Sequence, residues 1–524
     1  MSSHFLWYPS TEEVKVPWNA SYSFPSQANK AIKITPRIPP KNGGQFSPGD
    51  VIRLEFPAQG YVNPGNTFLS FDVLLYEGLP NNLYNYDVCF QNNIQSIFNR
   101  VRLLYGASPL EDLNNYNVIV RNLTEWTATA GNTVDQTSIM EGIGGTTFGG
   151  SGAVTFGLFQ KKTRSACIQS VDTAAGDNGF VPGIAGTENG ARYTTRRYQI
   201  QFALGLFTQG KLIPTKFMAS QLAIELTLSS EAQCLFSSMP QSNFAGGAIP
   251  TYKLKNVNLI PEILEFDASY DANFIRGLQN GGVPIKFSSY HTFQFPISST
   301  VNALIQERSR SVKALFAVVR RSPALLNGDS CATLMTANHS STLQNYQYRI
   351  GGRYFPASPV QVSTAYGSLF SNGGAEAYAE LAKCLNIVGD YRLSSAINTN
   401  RWAYPNLQDA DLTTPSGAEL DYANNLRYFD TAGNMVVDTF GTGPLSGNIG
   451  SNCFTMAVSL ETSNGMEISG LNAEEQSDIS FQANWSPSCW NTTTPGNSPY
   501  LLEVYSYYDA MIVLRENNVV ELIQ

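Results

Sequence analysis

The sequence predicts an all-β protein with few short helices, built as two tandem eight-stranded antiparallel jelly rolls. Three observations lead there. Short alternating strands dominate both halves. The second half looks like a second copy of the first, each with one amphipathic helix and a similar closing strand, VNLIPEILEFDASYDA (257–272) and PYLLEVYSYYDAMIV (499–513). And βαβ alternation is absent, which excludes a doubly wound parallel sheet. The length of 524 residues also divides naturally into two domains of roughly 200–250 residues.

Residues 1–45 sustain no period, and their aromatics (Phe5, Trp7, Tyr8, Trp18, Tyr22, Phe24) are isolated. They read as an extended arm, docked on a neighbour or on the chain's own body because free aromatics are costly to expose. The first jelly roll is expected over 46–268. In SPGDVIRLEFP, Ile52, Leu54 and Phe56 alternate with Val51, Arg53 and Glu55, as in a half-buried strand. Leu69, Phe71, Val73 and Leu75 share one face of a second strand, and FNRVRLLYG (98–106) is a third. SPLEDLNNYNVIVRNL (108–123) reads as a helix, with Ser108 as N-cap, Pro109 in the first helical position and Glu111 closing a capping box. Residues 128–190, rich in Gly, Thr, Ser and Ala, form a long insertion. Loops of this length in a compact domain are usually functional. RRYQIQFAL (196–204) and SQLAIELTLSS (220–230) restore alternation.

The second jelly roll, 269–524, repeats the order. PIKFSSYHTFQFPI (284–297), VKALFAVV (312–319) and YQYRIGGRYFP (346–356) are strands, and GGAEAYAELAKCLN (373–386) is a helix. Residues 395–450 are a second insertion. CFTMAVSL (453–460) and SDISFQANW (477–485) alternate, and 511–523 is a hairpin turning at Asn517-Asn518.

Charged residues make up only 14% of the chain, against roughly 25% in typical soluble domains. A surface poor in ions avoids desolvating them on burial, so it suits large protein–protein contacts; a neutral lectin-like protein is the other reading. The net charge is −8, and no terminal cationic run exists to displace counter-ions from nucleic acid. No sequence-specific nucleic-acid binding is expected. The basic stretches Arg192–Arg197, Arg308–Lys313 and Arg320–Arg321 read as strand faces or subunit contacts.

The seven cysteines (Cys89, Cys167, Cys234, Cys331, Cys384, Cys453, Cys489) are odd in number, widely spaced and without a CxxC, so neither a disulfide framework nor a zinc site is expected. Reduced thiols imply folding in a reducing compartment. The N-terminus has no secretory pattern, the sequons at Asn19, Asn122, Asn338, Asn484 and Asn491 are expected to stay unmodified, and no apolar run approaches the roughly 18 residues of a membrane span.

Candidates for chemistry are few. His4, His291 and His339 show no metal spacing. GGTTFGGSG (144–152) lacks the Lys-Ser/Thr of a phosphate cradle, and there is no nucleophile elbow. The carboxylate pairs Glu265/Asp267, expected on one strand face, and Asp409/Asp411, with Trp402 nearby, leave a carbohydrate-binding or glycan-hydrolysing β-sandwich as the alternative. The leading expectation has no catalytic, cofactor-binding or metal residues.

Several strings together resemble one family. SPGDVIRLEFPAQGYVNPGNTFLSFDV (47–73), IQSIFNRVRLLYGASPLEDL (94–113), KLIPTKFMASQLAIELTL (211–228), YQYRIGGRYFPASPV (346–360) and LLEVYSYYDAMIVL (501–514) resemble the double jelly-roll major capsid proteins of polinton-like viruses and virophages. The resemblance implies a virion structural protein rather than an enzyme. It implies a homotrimeric, pseudo-hexameric capsomer, contacts with neighbouring capsomers, penton and minor capsid proteins, and an icosahedral shell around double-stranded DNA. Assembly inside the host cell, without secretion, follows from the same likeness.

Overall fold

The computed structural model describes residues 31–76, 87–90, 94–127, 140–141, 167–169, 184–188, 191–237, 249–296, 300–321, 343–362, 374–385, 427–429, 435–437, 454–461, 470–474, 478–485, 500–516 and 519–524. Within these, two antiparallel sandwiches follow one another along the chain.

The first is built from β1 (Gln45–Phe46), β2 (Val51–Glu55), β3 (Tyr61–Tyr76), β4 (Phe98–Tyr105), β5 (Ser108–Asn114), β6 (Ala191–Ile200), β7 (Leu222–Leu228) and β8 (Thr251–Phe266). One sheet runs β1-β8-β3-β6, the other β2-β7-β4-β5. The second is built from β9 (Val283–Pro296), β10 (Thr300–Ile305), β11 (Val312–Arg321), β12 (Leu343–Ile350), β13 (Arg353–Gln361), β14 (Met456–Ser459), β15 (Ile479–Trp485) and β16 (Tyr500–Leu514). Its sheets run β9-β16-β11-β14 and β10-β15-β12-β13. Counting each sandwich from its own first strand, both give 1-8-3-6 facing 2-7-4-5, the double Greek key of a jelly roll.

Alternation in the sequence decides which face goes inward. In β2, Ile52 and Leu54 are wholly buried while Arg53 and Glu55 keep partial contact with solvent. Leu69, Phe71, Val73 and Leu75 of β3 all point inward. Tyrosine hydroxyls then tie the facing sheets. Tyr346 and Tyr348 of β12 donate to the carbonyls of Ala457 (3.1 Å) and Met456 (2.7 Å) in β14, and Tyr252 of β8 donates to Ser229 just past β7 (2.6 Å). Each phenol is buried and needs such a partner.

Three longer helices are described: α1 (Tyr116–Thr127), α2 (Ala268–Gln279) and α3 (Ala375–Cys384). The first corrects the helix expected over 108–123. Residues 108–114 are strand β5, paired with β4 from Tyr105↔Ser108 to Arg100↔Asn114. The hairpin wins because Gly106 accepts φ +60° at the turn and the sheet edge buries Leu110 and Leu113. The capping box yields to it, and Glu111 is buried for another purpose. The helix starts only after Asn115, at φ +52°.

The closing strand expected over 257–272 is also shorter. β8 ends at Phe266, and Asp267, in extended conformation, opens α2. Phe266, Tyr270 and Phe274 recur every fourth residue, which is the helical face spacing. Their rings meet Tyr61 at 5.1, 5.5 and 5.6 Å.

The arm read over 1–45 is not free where it is described. Ala31–Ile34 pairs antiparallel with Phe266–Ile263, Ile38 bridges to Leu259, and β1 continues along Leu254 and Lys255. Residues 31–46 are thus the outer edge strand of the first sandwich. At the other end Val520–Ile523 pairs with Leu514–Met511 of β16, as the terminal hairpin requires.

α1 follows the fifth strand of the first sandwich and α3 follows the fifth strand of the second. In both, the long insertion comes next, before the sixth strand. Short strands are described within each, at Cys167–Gln169 and Ile184–Glu188 in the first and Arg427–Phe429 paired with Met435–Val437 in the second.

Candidate functional site

Among the described residues, those singled out for chemistry do not converge. Glu265 lies on β8 and takes a hydrogen bond from Gln59. Asp267 has left the strand for the start of α2, where Ser269 donates to it at 3.3 Å. The shared strand face expected for this pair does not exist, because the strand ends between them. Asp409, Asp411, Trp402, His4 and His339 lie outside the described residues.

His291 sits on β9, stacked on Tyr508 with ring centroids 4.1 Å apart, and its Nδ1 lies 3.1 Å from Glu307 Oε2. Glu307 also accepts from the Arg308 and Ser309 N–H groups and from Ser309 Oγ. Burial raises its carboxyl, but the His291 hydrogen bond and charge, with Ser506 and Ser309, outweigh this and hold it at about 2. Ser309 gives its proton to the carboxylate rather than to the imidazole, so the group is a buried polar tie and not a nucleophile relay. Among the described residues no three His, Cys, Asp or Glu side chains gather as a metal set.

Several members of the basic stretches are engaged with carboxylates. Arg197 makes a two-pronged contact with Asp72 (2.6 and 2.8 Å). Arg310 meets Glu474 at 2.9 Å, and Lys313 meets Glu461 at 3.0 Å. Such pairing fits strand faces rather than a nucleic-acid groove.

What the structure does concentrate is the seam between the two sandwiches. β5, the turn at Gly205–Thr208 and α1, all from the first, meet β9, β11 and β16 of the second and Thr455 just before β14. Glu111, 1% exposed on β5, accepts the N–H groups of Gly205 and Leu206 at 2.8 Å each and the hydroxyl of Ser289 on β9 at 2.8 Å. Burial pushes its carboxyl up to about 7, against the pull of those three donors. Gly205 permits the approach: a Cβ there would sit 1.9 Å from the Ser288 carbonyl oxygen.

A second buried carboxylate answers from the other side. Glu503 on β16 accepts from Asn115 of the first sandwich (3.2 Å), and from Gln294 (2.6 Å) and Tyr505 of its own. Thr292 donates to the Asn114 carbonyl at 3.1 Å. Trp126 of α1 stacks on Phe316 of β11 with centroids 4.9 Å apart, and its Nε1–H reaches Thr455 at 3.2 Å. Behind these, Tyr116 donates to Gln95 and accepts from the Ala203 N–H, and Gln95 donates to Glu141, whose carboxyl burial raises to about 7.

Polar groups buried with partners on both sides fix one relative placement, since any shift leaves donors unpaired at about 1–3 kcal/mol each. This seam has the chemistry of a rigid joint. Sequence reading missed it because Glu111 looked like a helix cap and nothing local singled out Gly205. The only available signal was an acid in a segment that is otherwise apolar at alternate positions.

No family model matches the sequence, and no curated protein does. Solved structures share the fold. One is the Sputnik virophage structure determined by cryo-EM, at TM-score 0.54 and 11% identity over 99% of this chain and 93% of that one. PBCV-1 VP54, fitted into a reconstruction of Sputnik, matches at TM-score 0.51 and 10% identity over 96% and 99%. The Faustovirus major capsid protein matches at TM-score 0.50 and 8% identity over 98% and 93%. At such identities the likeness is one of fold, and the fold is the double jelly roll.

Proposed function

We propose that this chain is the major capsid protein of a tailless double-stranded DNA virus or related element. In this reading it is a virion building block and not an enzyme. The observation that carries it is the duplication. Two sandwiches of identical strand order are locked side by side by a buried, keyed seam. Three such chains present six equivalent towers, so a homotrimer fills a sixfold position in an icosahedral shell, and like capsomers tile around it. The fold likeness to Sputnik and to the Faustovirus major capsid protein supports this. Penton and minor capsid proteins complete the vertices, and packaging of DNA falls to other components because this chain is acidic.

We place the sandwiches at 46–268 and 269–524, the first extended at its edge by 31–45, with the insertions 128–190 and 395–450 supplying outward loops and subunit contacts. In this reading the arm 1–45 bridges subunits in the assembled shell. The pairing of 31–46 with β8 makes 1–30 the segment to delete: its removal leaves trimers and weakens shell formation.

The test is native mass spectrometry of the purified chain with electron microscopy. Trimers that survive dilution and three-sided particles of hexagonal outline are expected. A monomer at all micromolar concentrations overturns the proposal.

A further inference from the structure

In the first sandwich the fifth strand and the helix after it, β5 and α1, are the elements that hold the second. They press on its first strand, β9, and on the outward side of β11 and β16. Both sandwiches have the same strand order. The chain therefore contains a second copy of each half of this joint, and among the described residues neither is used internally.

One unused half is β13 with α3. β13 forms the same hairpin with β12 that β5 forms with β4, and it is the last strand of its sheet. Arg353, Tyr354 (45% exposed), Ala357, Ser358 and Pro359 face solvent. No charge occurs from Tyr354 to Gln361, and depletion of charge marks the core of an interface. Pro356 and Pro359 lack N–H donors, so this edge is poor at open-ended strand pairing and is left to side-chain contact. α3 buries Ala377, Leu381 and Ala382 inward and leaves Ala375, Glu376 and Ala379 outward.

The other unused half is the edge strand of the first sandwich. Its counterpart β9 is covered in the seam, with Gly205 against Ser288. Among the described residues the line 31–46 is open, with Ile32 64% exposed and Lys33, Arg37 and Lys41 turned outward. Lys33 and Lys41 also meet Glu262 and Glu55 of their own sandwich, and the exposed Glu376 of α3 offers this line an opposite charge.

We infer that β13 with the outer side of α3 docks on the 31–46 edge of the first sandwich in a second copy of this chain. The contact repeats between chains the joint seen within one. It is head-to-tail, and such contacts close into a ring when the rotation allows; here three chains close it. The inference rests on the capsid reading and specifies the surfaces that reading needs.

The test uses the full chain. Ala357→Arg and Ile32→Arg each place a cation on an exposed side chain, outside the cores. Sedimentation velocity across a concentration series should show trimer for the wild type. Each variant should dissociate at concentrations at least tenfold higher, about 1.4 kcal/mol, with thermal unfolding unchanged at dilutions where wild type and variant are both monomeric. A trimeric wild type with equally trimeric variants overturns this surface assignment and leaves the capsid reading standing. A monomeric wild type overturns both. If either variant fails to fold, an equal mixture of light and isotope-labelled wild type, cross-linked through amines, decides. Lys383 linked to Lys33 or Lys41 across isotope labels supports the contact, and absence of such mixed links overturns it.

Discussion

Glu111 allows the seam to be tested by its pH dependence. Glu111→Ala leaves the Gly205 and Leu206 N–H groups buried without an acceptor, while Ser289 can rotate its hydroxyl elsewhere. At about 1–3 kcal/mol for each fixed donor, the loss is about 2–6 kcal/mol. The wild-type carboxyl, however, is raised from 4.5 to about 7. The folded chain holds this proton over a range where the unfolded chain has released it. Its contribution is therefore fully present below pH 4.5 and is lost as pH rises through about 7. A shift of that size corresponds to about 3 kcal/mol at 1.36 kcal/mol per pH unit. The cost of Glu111→Ala should then be larger at pH 5 than at pH 8, by about 3 kcal/mol, because at pH 8 the wild type already bears a buried charge. Glu111→Gln should remove only this group's part of the slope, since Glu141 titrates in the same window. Chemical denaturation of the purified chain at the two pH values, with calorimetry, measures both. A variant as stable as wild type at pH 5, or a loss that grows with pH, refutes the reasoning.

Trp126→Ala should cost about 3–5 kcal/mol, because the ring is 2% exposed and stacked across the seam on Phe316; calorimetry should then show the sandwiches melting in two transitions instead of one. Gly205→Ala should destabilise by at least about 1–3 kcal/mol, since the added methyl meets the Ser288 backbone and not a side chain that can move; denaturation midpoints check this. Glu307, held at about 2, contributes stability that is present above pH 4.5 and lost as pH falls toward 2, so His291→Ala should shift the acid-unfolding midpoint upward, read by circular dichroism. Arg197→Ala should change stability by less than about 1 kcal/mol, because Arg197 is exposed on a sheet face, and the same denaturation series reports it.

Some elements were legible because a single period carried them. Ile52, Leu54, Phe71 and Val73 announce inward strand faces, and the tandem architecture follows from seeing that grammar twice. Two boundaries were not legible. In 108–123 a capping box and a hairpin compete over the same residues, and local sequence favours the helix. The sheet edge settles it, since only there can Leu110 and Leu113 be buried against β4. At 266–274 the fourfold spacing of Phe266, Tyr270 and Phe274 was present in the sequence but hidden inside an apparent strand repeat. Tyr61, some two hundred residues earlier, gives those rings a surface to pack on.

The sequence by itself determined that this protein is two β-sandwiches in series with a charge-poor surface, because alternation and composition act over a few neighbouring residues and need no partner. Only the tertiary structure decided how the sandwiches are joined. Glu111, Gly205, Trp126 and Glu503 have meaning only opposite Ser289, Ser288, Phe316 and Asn115. Those partners lie far along the chain, and no local period encodes a contact between surfaces that meet only after each has folded.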